Sequence, residues 1–121
     1  MIKQILLIDD EEQDRLGMTI ALKKDGYTDL RFAPTAEDGL ALAASLNPDL
    51  IFIDVVLNNN IDVFDLCQQL RSAGNKAKII MVTGHLDAVN VKKARVSGAN
   101  EIVEKIVGFK NLAVAIKQVC S

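Results

Sequence analysis

Asp54 lies inside an apolar run, Leu50-Ile51-Phe52-Ile53-Asp54-Val55-Val56-Leu57. Either the strand ends at Ile53 and Asp54 is a solvated loop acid, or the strand carries a carboxylate for a chemical reason. Val55, Val56 and Leu57 continue the run and favour the second reading, because burying an unpaired carboxylate is costly. Other chemistry-bearing residues stand where other apolar runs stop. Gln4–Ile8 stops at Asp9-Asp10-Glu11-Glu12, Lys78–Val82 at Thr83-Gly84, and Glu101–Val103 runs into Glu104-Lys105. Glu11, Glu12 and Asp14 suit the first turn of a helix, whose dipole favours acids. Asp9 and Asp10 directly follow the strand, where side chains face the crevice.

Asp9, Asp10 and Asp54 crowded together repel, so at least one pKa rises unless a cation neutralises them. A hard divalent ion with oxygen ligands fits, and Mg2+ typically takes one or two carboxylates together with waters and phosphate oxygens. Such an ion also lets a carboxylate attack a phosphoryl dianion. Asp54 is then the nucleophile that becomes an acyl phosphate. Lys105 supplies a second positive charge, Thr83 donates a hydrogen bond to a phosphoryl oxygen, and Gly84 leaves the approach open. A strand-end threonine or a surface lysine is ordinary by itself; the set carries the reading.

The elements that position these residues alternate along the chain. Strands are expected at Gln4–Ile8, Leu30–Ala33, Leu50–Leu57, Lys78–Val82 and Glu101–Val103. Helices are expected at Glu12–Asp25 before Gly26, from an N-cap at Thr35 (with Asp38 as capping-box partner) to Leu46 before Pro48, from Asp62 or Val63 to Ala73 before Gly74, and from Asp87 to Ser97 before Gly98. A last helix is expected from near Gly108, with Phe109, Leu112, Ala113, Ile116 and Cys120 along one face. Five strands alternating with five helices predict an α/β fold with a doubly wound, five-stranded parallel sheet covered on both faces. A barrel needs about twice the length. In open sheets the site lies beyond the carboxyl ends of the strands, where Asp9, Asp54, Thr83 and Lys105 are expected.

The 121 residues, half of them apolar, fit one domain over residues 1–121. No run is long enough to span a bilayer, and Ile5–Ile8 leads straight into acids rather than a signal-peptide cleavage site, so a cytoplasmic location is expected. Cys67 and Cys120 are expected to stay reduced without a role. With His85 the only histidine and no Cys/His metal set, classical zinc sites are excluded, and a Ser-His-Asp triad is not expected. Net charge is −2: residues 1–65 hold 13 acids and 5 bases, giving −8, and residues 66–121 hold 3 acids and 9 bases, giving +6. That balance argues against nucleic-acid binding by this domain. Lys92, Lys93, Arg95, Lys110 and Lys117 form either a docking face or, as favoured, the solvated side of the last two helices.

Leu6-Leu7-Ile8-Asp9-Asp10-Glu11, Pro48 to Asp54, Ile80-Met81-Val82-Thr83-Gly84-His85 and Gly98 to Lys105 together resemble the receiver domains of two-component response regulators, of the CheY-like superfamily. The resemblance covers essentially the whole chain in order. It implies the flavodoxin-like strand order 2-1-3-4-5 and Asp54 as phosphoacceptor. It also implies metal binding by Asp10, Asp54 and the Val56 carbonyl, with Asp9 acting partly through water, and phosphoryl contacts from Thr83 and Lys105. Its implied partners are a histidine kinase or phosphotransfer protein as donor and a downstream protein effector, with a homodimer admitted and no membrane.

The chain departs from the family's pattern at several places. Ile106 stands where a cis proline commonly follows the lysine, so a trans bond is expected. Ile102 stands where an aromatic residue commonly swings inward. Asn58 replaces a customary proline in a loop, Asn58-Asn59-Asn60, one residue longer than usual, and Val63 stands where a glycine near Asp62 is customary. Phosphorylation without the aromatic switch is therefore expected, the alternative being a degenerate receiver that binds partners independently of phosphorylation. A magnesium-dependent phosphatase wants an acid two residues after its nucleophile, where this chain has Val56, so a switch rather than an enzyme is expected. A flavodoxin-like cofactor binder would need a phosphate loop where Asp9 to Glu12 would repel phosphate.

Overall fold

The computed structural model describes residues 2–57 and 61–120. Strands β1 (Gln4–Ile8), β2 (Asp29–Ala33), β3 (Leu50–Asp54), β4 (Lys78–Thr83) and β5 (Glu101–Glu104) alternate with helices α1 (Glu12–Lys24), α2 (Ala36–Leu46), α3 (Val63–Ser72), α4 (Ala88–Ser97) and α5 (Leu112–Cys120). All pairings are parallel, in the order β2-β1-β3-β4-β5. The doubly wound architecture and strand order are as expected, and the order reverses between β1 and β3.

Alternation along the strands divides the core in two. Leu6, Ile8, Ile51, Ile53, Ile79 and Met81 pack under α2, α3 and α4. Ile5, Leu7, Leu50, Phe52, Ile80 and Val82 pack under Met18 and Leu22 of α1 and Leu112, Ala115 and Ile116 of α5. Buried on both faces, the middles of β1, β3 and β4 must be apolar, as Ile5–Ile8, Leu50–Ile53 and Ile79–Val82 are. Helix starts follow their caps: Thr35 Oγ1 accepts from Asp38 N at 3.0 Å, Asp62 Oδ1 from Phe64 N at 2.9 Å, and Asp87 Oδ1 from Asn90 N at 2.8 Å.

Most element ends lie within one residue of expectation, and two differ by more. The third strand stops at Asp54 rather than Leu57: Val55 and Val56 form a bend, and Val56 is 71% exposed. The apolar run therefore outlasts the strand, and its continuation was the wrong reason for expecting Asp54 to be buried. The last helix begins at Leu112, not near Gly108, because Gly108 (φ 74°) and Phe109 (φ 50°) are left-handed and form a 3-10 turn, Val107–Phe109, instead. Phe109 thus leaves the helical face and packs on α1, where a Cβ at Gly17 would lie 2.7 Å from its ring. Cys120, also placed on that face, is exposed, and both cysteines are free. No cis peptide occurs among the described residues, which include Ile106. Asn58, Asn59 and Asn60 lie outside the described residues.

Candidate functional site

β3 ends at its acid. Asp54 is 4% exposed, with Val55 N still bonded to Val82 O at 2.9 Å as the chain turns away. Its Oδ1 accepts from Val56 N at 3.0 Å and its Oδ2 from Lys105 Nζ at 3.0 Å. Asp9, the first residue past β1, is 2% exposed. Oδ1 of Asp9 accepts from Glu11 N at 2.8 Å, while its Oδ2 is buried and has no hydrogen-bond partner among the described residues. Burial is the main reason the Asp9 carboxyl pKa is pushed up to about 7; the Glu11 N–H pulls it down, and the negative Asp54 beside it pushes it further up.

Thr83 closes β4, buried, with Oγ1 donating to His85 O at 3.1 Å and accepting from His85 N at 3.2 Å. Lys105 follows β5, its backbone N bonded to Thr83 O at 2.7 Å. Its ammonium bridges Asp14 Oδ2 at 2.6 Å and Asp54 Oδ2 at 3.0 Å. Burial works against that charge, but hydrogen bonds to Asp14 and Asp54 outweigh it and hold the Lys105 pKa above the ordinary lysine value.

Asp9, Asp54, Thr83 and Lys105 are therefore brought to one edge of the sheet. Asp10 is half-buried, and the carboxylates whose oxygens come within 4.8 Å of one another are Asp9, Asp14 and Asp54. Asp14, read from sequence as a helix-dipole acid, is the site residue that reading missed. Nothing in the sequence separates it from Glu12, because what distinguishes it is the arrival of Lys105 from residues far along the chain. Val56, whose N–H donates to Asp54, is exposed, and among the described residues a Cβ on Gly84 would meet nothing within 4 Å. Clustered carboxylates around the unpartnered Asp9 oxygen form a hard-oxygen donor set that could hold a small divalent cation.

The family model of the response regulator receiver domain matches residues 5–117. The transcriptional regulatory protein AfsQ1 of Streptomyces coelicolor is 34% identical over 115 residues, covering 95% of this chain and 50% of that protein. The DNA-binding response regulator MtrA of Mycolicibacterium smegmatis is 30% identical over 117 residues, covering 97% and 50%. The chain thus spans about half the length of these curated relatives. Chemotaxis protein CheY4 of Vibrio cholerae superimposes with a TM-score of 0.87 at 21% identity, over 98% of this chain and 99% of that one, and this shows the fold alone. The signal receiver domain of a DNA-binding response regulator from Colwellia psychrerythraea 34H gives 0.85 at 26% identity over 98% of each chain. With the acid-edged parallel sheet and the family match over nearly its whole length, this chain belongs to the response regulator receiver domains, the signalling modules of two-component systems.

Proposed function

We propose that residues 1–121 act as a phosphoacceptor switch, in which Asp54 takes a phosphoryl group from a histidine kinase or phosphotransfer protein in a Mg2+-dependent reaction and thereby changes the binding of a downstream effector. The observation that carries this reading is a buried acceptor carboxylate held 3.0 Å from a lysine ammonium, beside an acid oxygen with no partner among the described residues. An Asp54 oxygen attacks phosphorus; the phosphorus–nitrogen bond of a donor phosphohistidine breaks, and its electron pair returns to the imidazole, which takes a proton. Asp9, Asp10, Asp54 and the Val56 carbonyl would hold Mg2+, which when bound supplies the charge neutralisation that this attack requires. Lys105 pairs with the transferred group. The Thr83 hydroxyl exchanges its bond to His85 O for one to a phosphoryl oxygen.

That exchange at Thr83 would pull on the turn leading into α4. Ile102, buried in β5, offers no ring to swing, so coupling through the Thr83–His85 turn replaces an aromatic relay. Exposed Val56, Ile106 and Val107 near the site give a donor protein apolar surface to seat on. The relatives' names speak of DNA binding and transcriptional regulation for proteins about twice this length; no nucleic-acid role is proposed for this domain.

Incubation with acetyl phosphate and Mg2+, followed by intact mass measurement, is expected to give an adduct of about 80 Da that Asp54→Asn abolishes. A mass that stays unchanged, or an adduct that survives D54N, defeats the reading. If millimolar Mg2+ also leaves the amide signals near Asp10 and Asp54 unmoved, the phosphorylation-independent interaction module takes its place.

A further inference from the structure

Asp14 has no task in the chemistry above, yet it holds the shorter of the two ion pairs to Lys105, at 2.6 Å against 3.0 Å for Asp54. Two contacts bring it there. Asp14 and Gly17 lie three residues apart on one face of α1, and the missing side chain at Gly17 admits the Phe109 ring. That contact seats the segment after Lys105 against α1, while the Lys105 backbone is tied to Thr83 O. The ammonium is thereby led across to the first turn of α1.

We propose that Asp14 is a positioning residue that competes with the acceptor for Lys105: in the unphosphorylated domain it holds the ammonium that an incoming phosphoryl group needs, which slows phosphorylation and strengthens the metal requirement. The proposal rests on the phosphoacceptor reading of Asp54. Lys105 paired with Asp14 is nearly neutral, so the phosphoryl group meets a dipole instead of a full positive charge. The Asp14 carboxylate also adds negative charge within 4.8 Å of the Asp9 and Asp54 oxygens. A cation gains from that charge and a phosphoryl group loses. The buried Asp9 Oδ2, which has no hydrogen-bond partner among the described residues, independently marks this cluster as one arranged for a cation.

Neutralising Asp14 therefore has two effects of opposite sense, and an acid that merely complements the helix dipole produces neither. In the full chain, Asp14→Asn is expected to weaken Mg2+ binding about fivefold in an amide-shift titration without phosphodonor. At saturating Mg2+ it is expected to raise the initial rate of adduct formation from acetyl phosphate about fivefold, the upper end for a partly solvated ion pair. The side-chain ammonium signal of Lys105 should shift with it. Asp14→Glu, which keeps the charge, should stay close to the original protein in both measurements, and Asp14→Ser repeats the test if D14N loses the native amide spectrum. Unmodified protein that takes no adduct overturns the phosphoacceptor reading and the competition together. If the unmodified protein takes the adduct and D14N does so no faster, the competition alone is overturned.

Discussion

At the residue scale, Asp9 is the group whose charge state the fold controls most visibly. Its folded pKa of about 7 lies above the ordinary 3.8, so folding favours the protonated form. Its contribution to stability is complete below about pH 4 and is lost as pH rises through 7. In chelator-treated protein, urea denaturation from pH 4 to 8 is expected to show stability falling by up to about 4 kcal/mol, at ~1.4 kcal/mol per unit. Asp9→Asn should remove most of that fall; an equal fall in the variant would assign the effect elsewhere. The carboxylate pattern around Asp9 and Asp54 was legible in sequence because acids that interrupt apolar runs are conspicuous. Asp14 was not legible: an acid in a first helical turn has a sufficient local explanation, and only Lys105 gives it another.

At the element scale, Arg71 ties the end of α3 to the segment entering β5. Its guanidinium donates to Gly98 O at 3.0 Å, Asn75 O at 3.0 Å, Ala77 O at 2.7 Å and Asn100 Oδ1 at 2.9 Å. Asn100 Oδ1 also accepts from Ile79 N at 2.9 Å, so one fork holds α3, the approach to β4 and the α4–β5 loop in register. Arg71→Ala should cost about 2–3 kcal/mol, the range for charge-assisted bonds whose acceptors are left unpaired. Arg71→Lys should recover only part, because an ammonium cannot serve the planar fork. Chemical denaturation checks both, and an R71A loss within about 0.5 kcal/mol would show the fork to be incidental. Element existence followed from apolar runs and from caps such as Thr35, Asp62 and Gly98. Ends without such signals were harder: Val55 and Val56 look like strand yet bend, and the left-handed Phe109 is held by its packing on Gly17, which no local propensity announces.

At the scale of the whole molecule, one sheet separates two cores, and neighbouring residues of β3 serve opposite ones: Phe52 faces α1 and α5, Ile53 faces α2, α3 and α4. Cores that share a single sheet should melt together. Phe52→Ala and Ile53→Ala are each expected to lower stability by about 3–4 kcal/mol while leaving a single transition. Two resolved transitions in either variant would mean that the cores are independent.

The order of strand and helix, the coverage of both sheet faces and the acids and lysine at strand ends were determined by sequence alone. Each depends on periodicity or on a residue type out of keeping with its neighbours, and both are local properties. Only tertiary structure decided that Asp14 shares Lys105 with Asp54, that Asp9 Oδ2 is buried beside Asp54, and that the last helix waits until Leu112. These depend on where segments far apart in the chain meet, and charge pairing and burial act through distances in space that spacing along the chain does not encode.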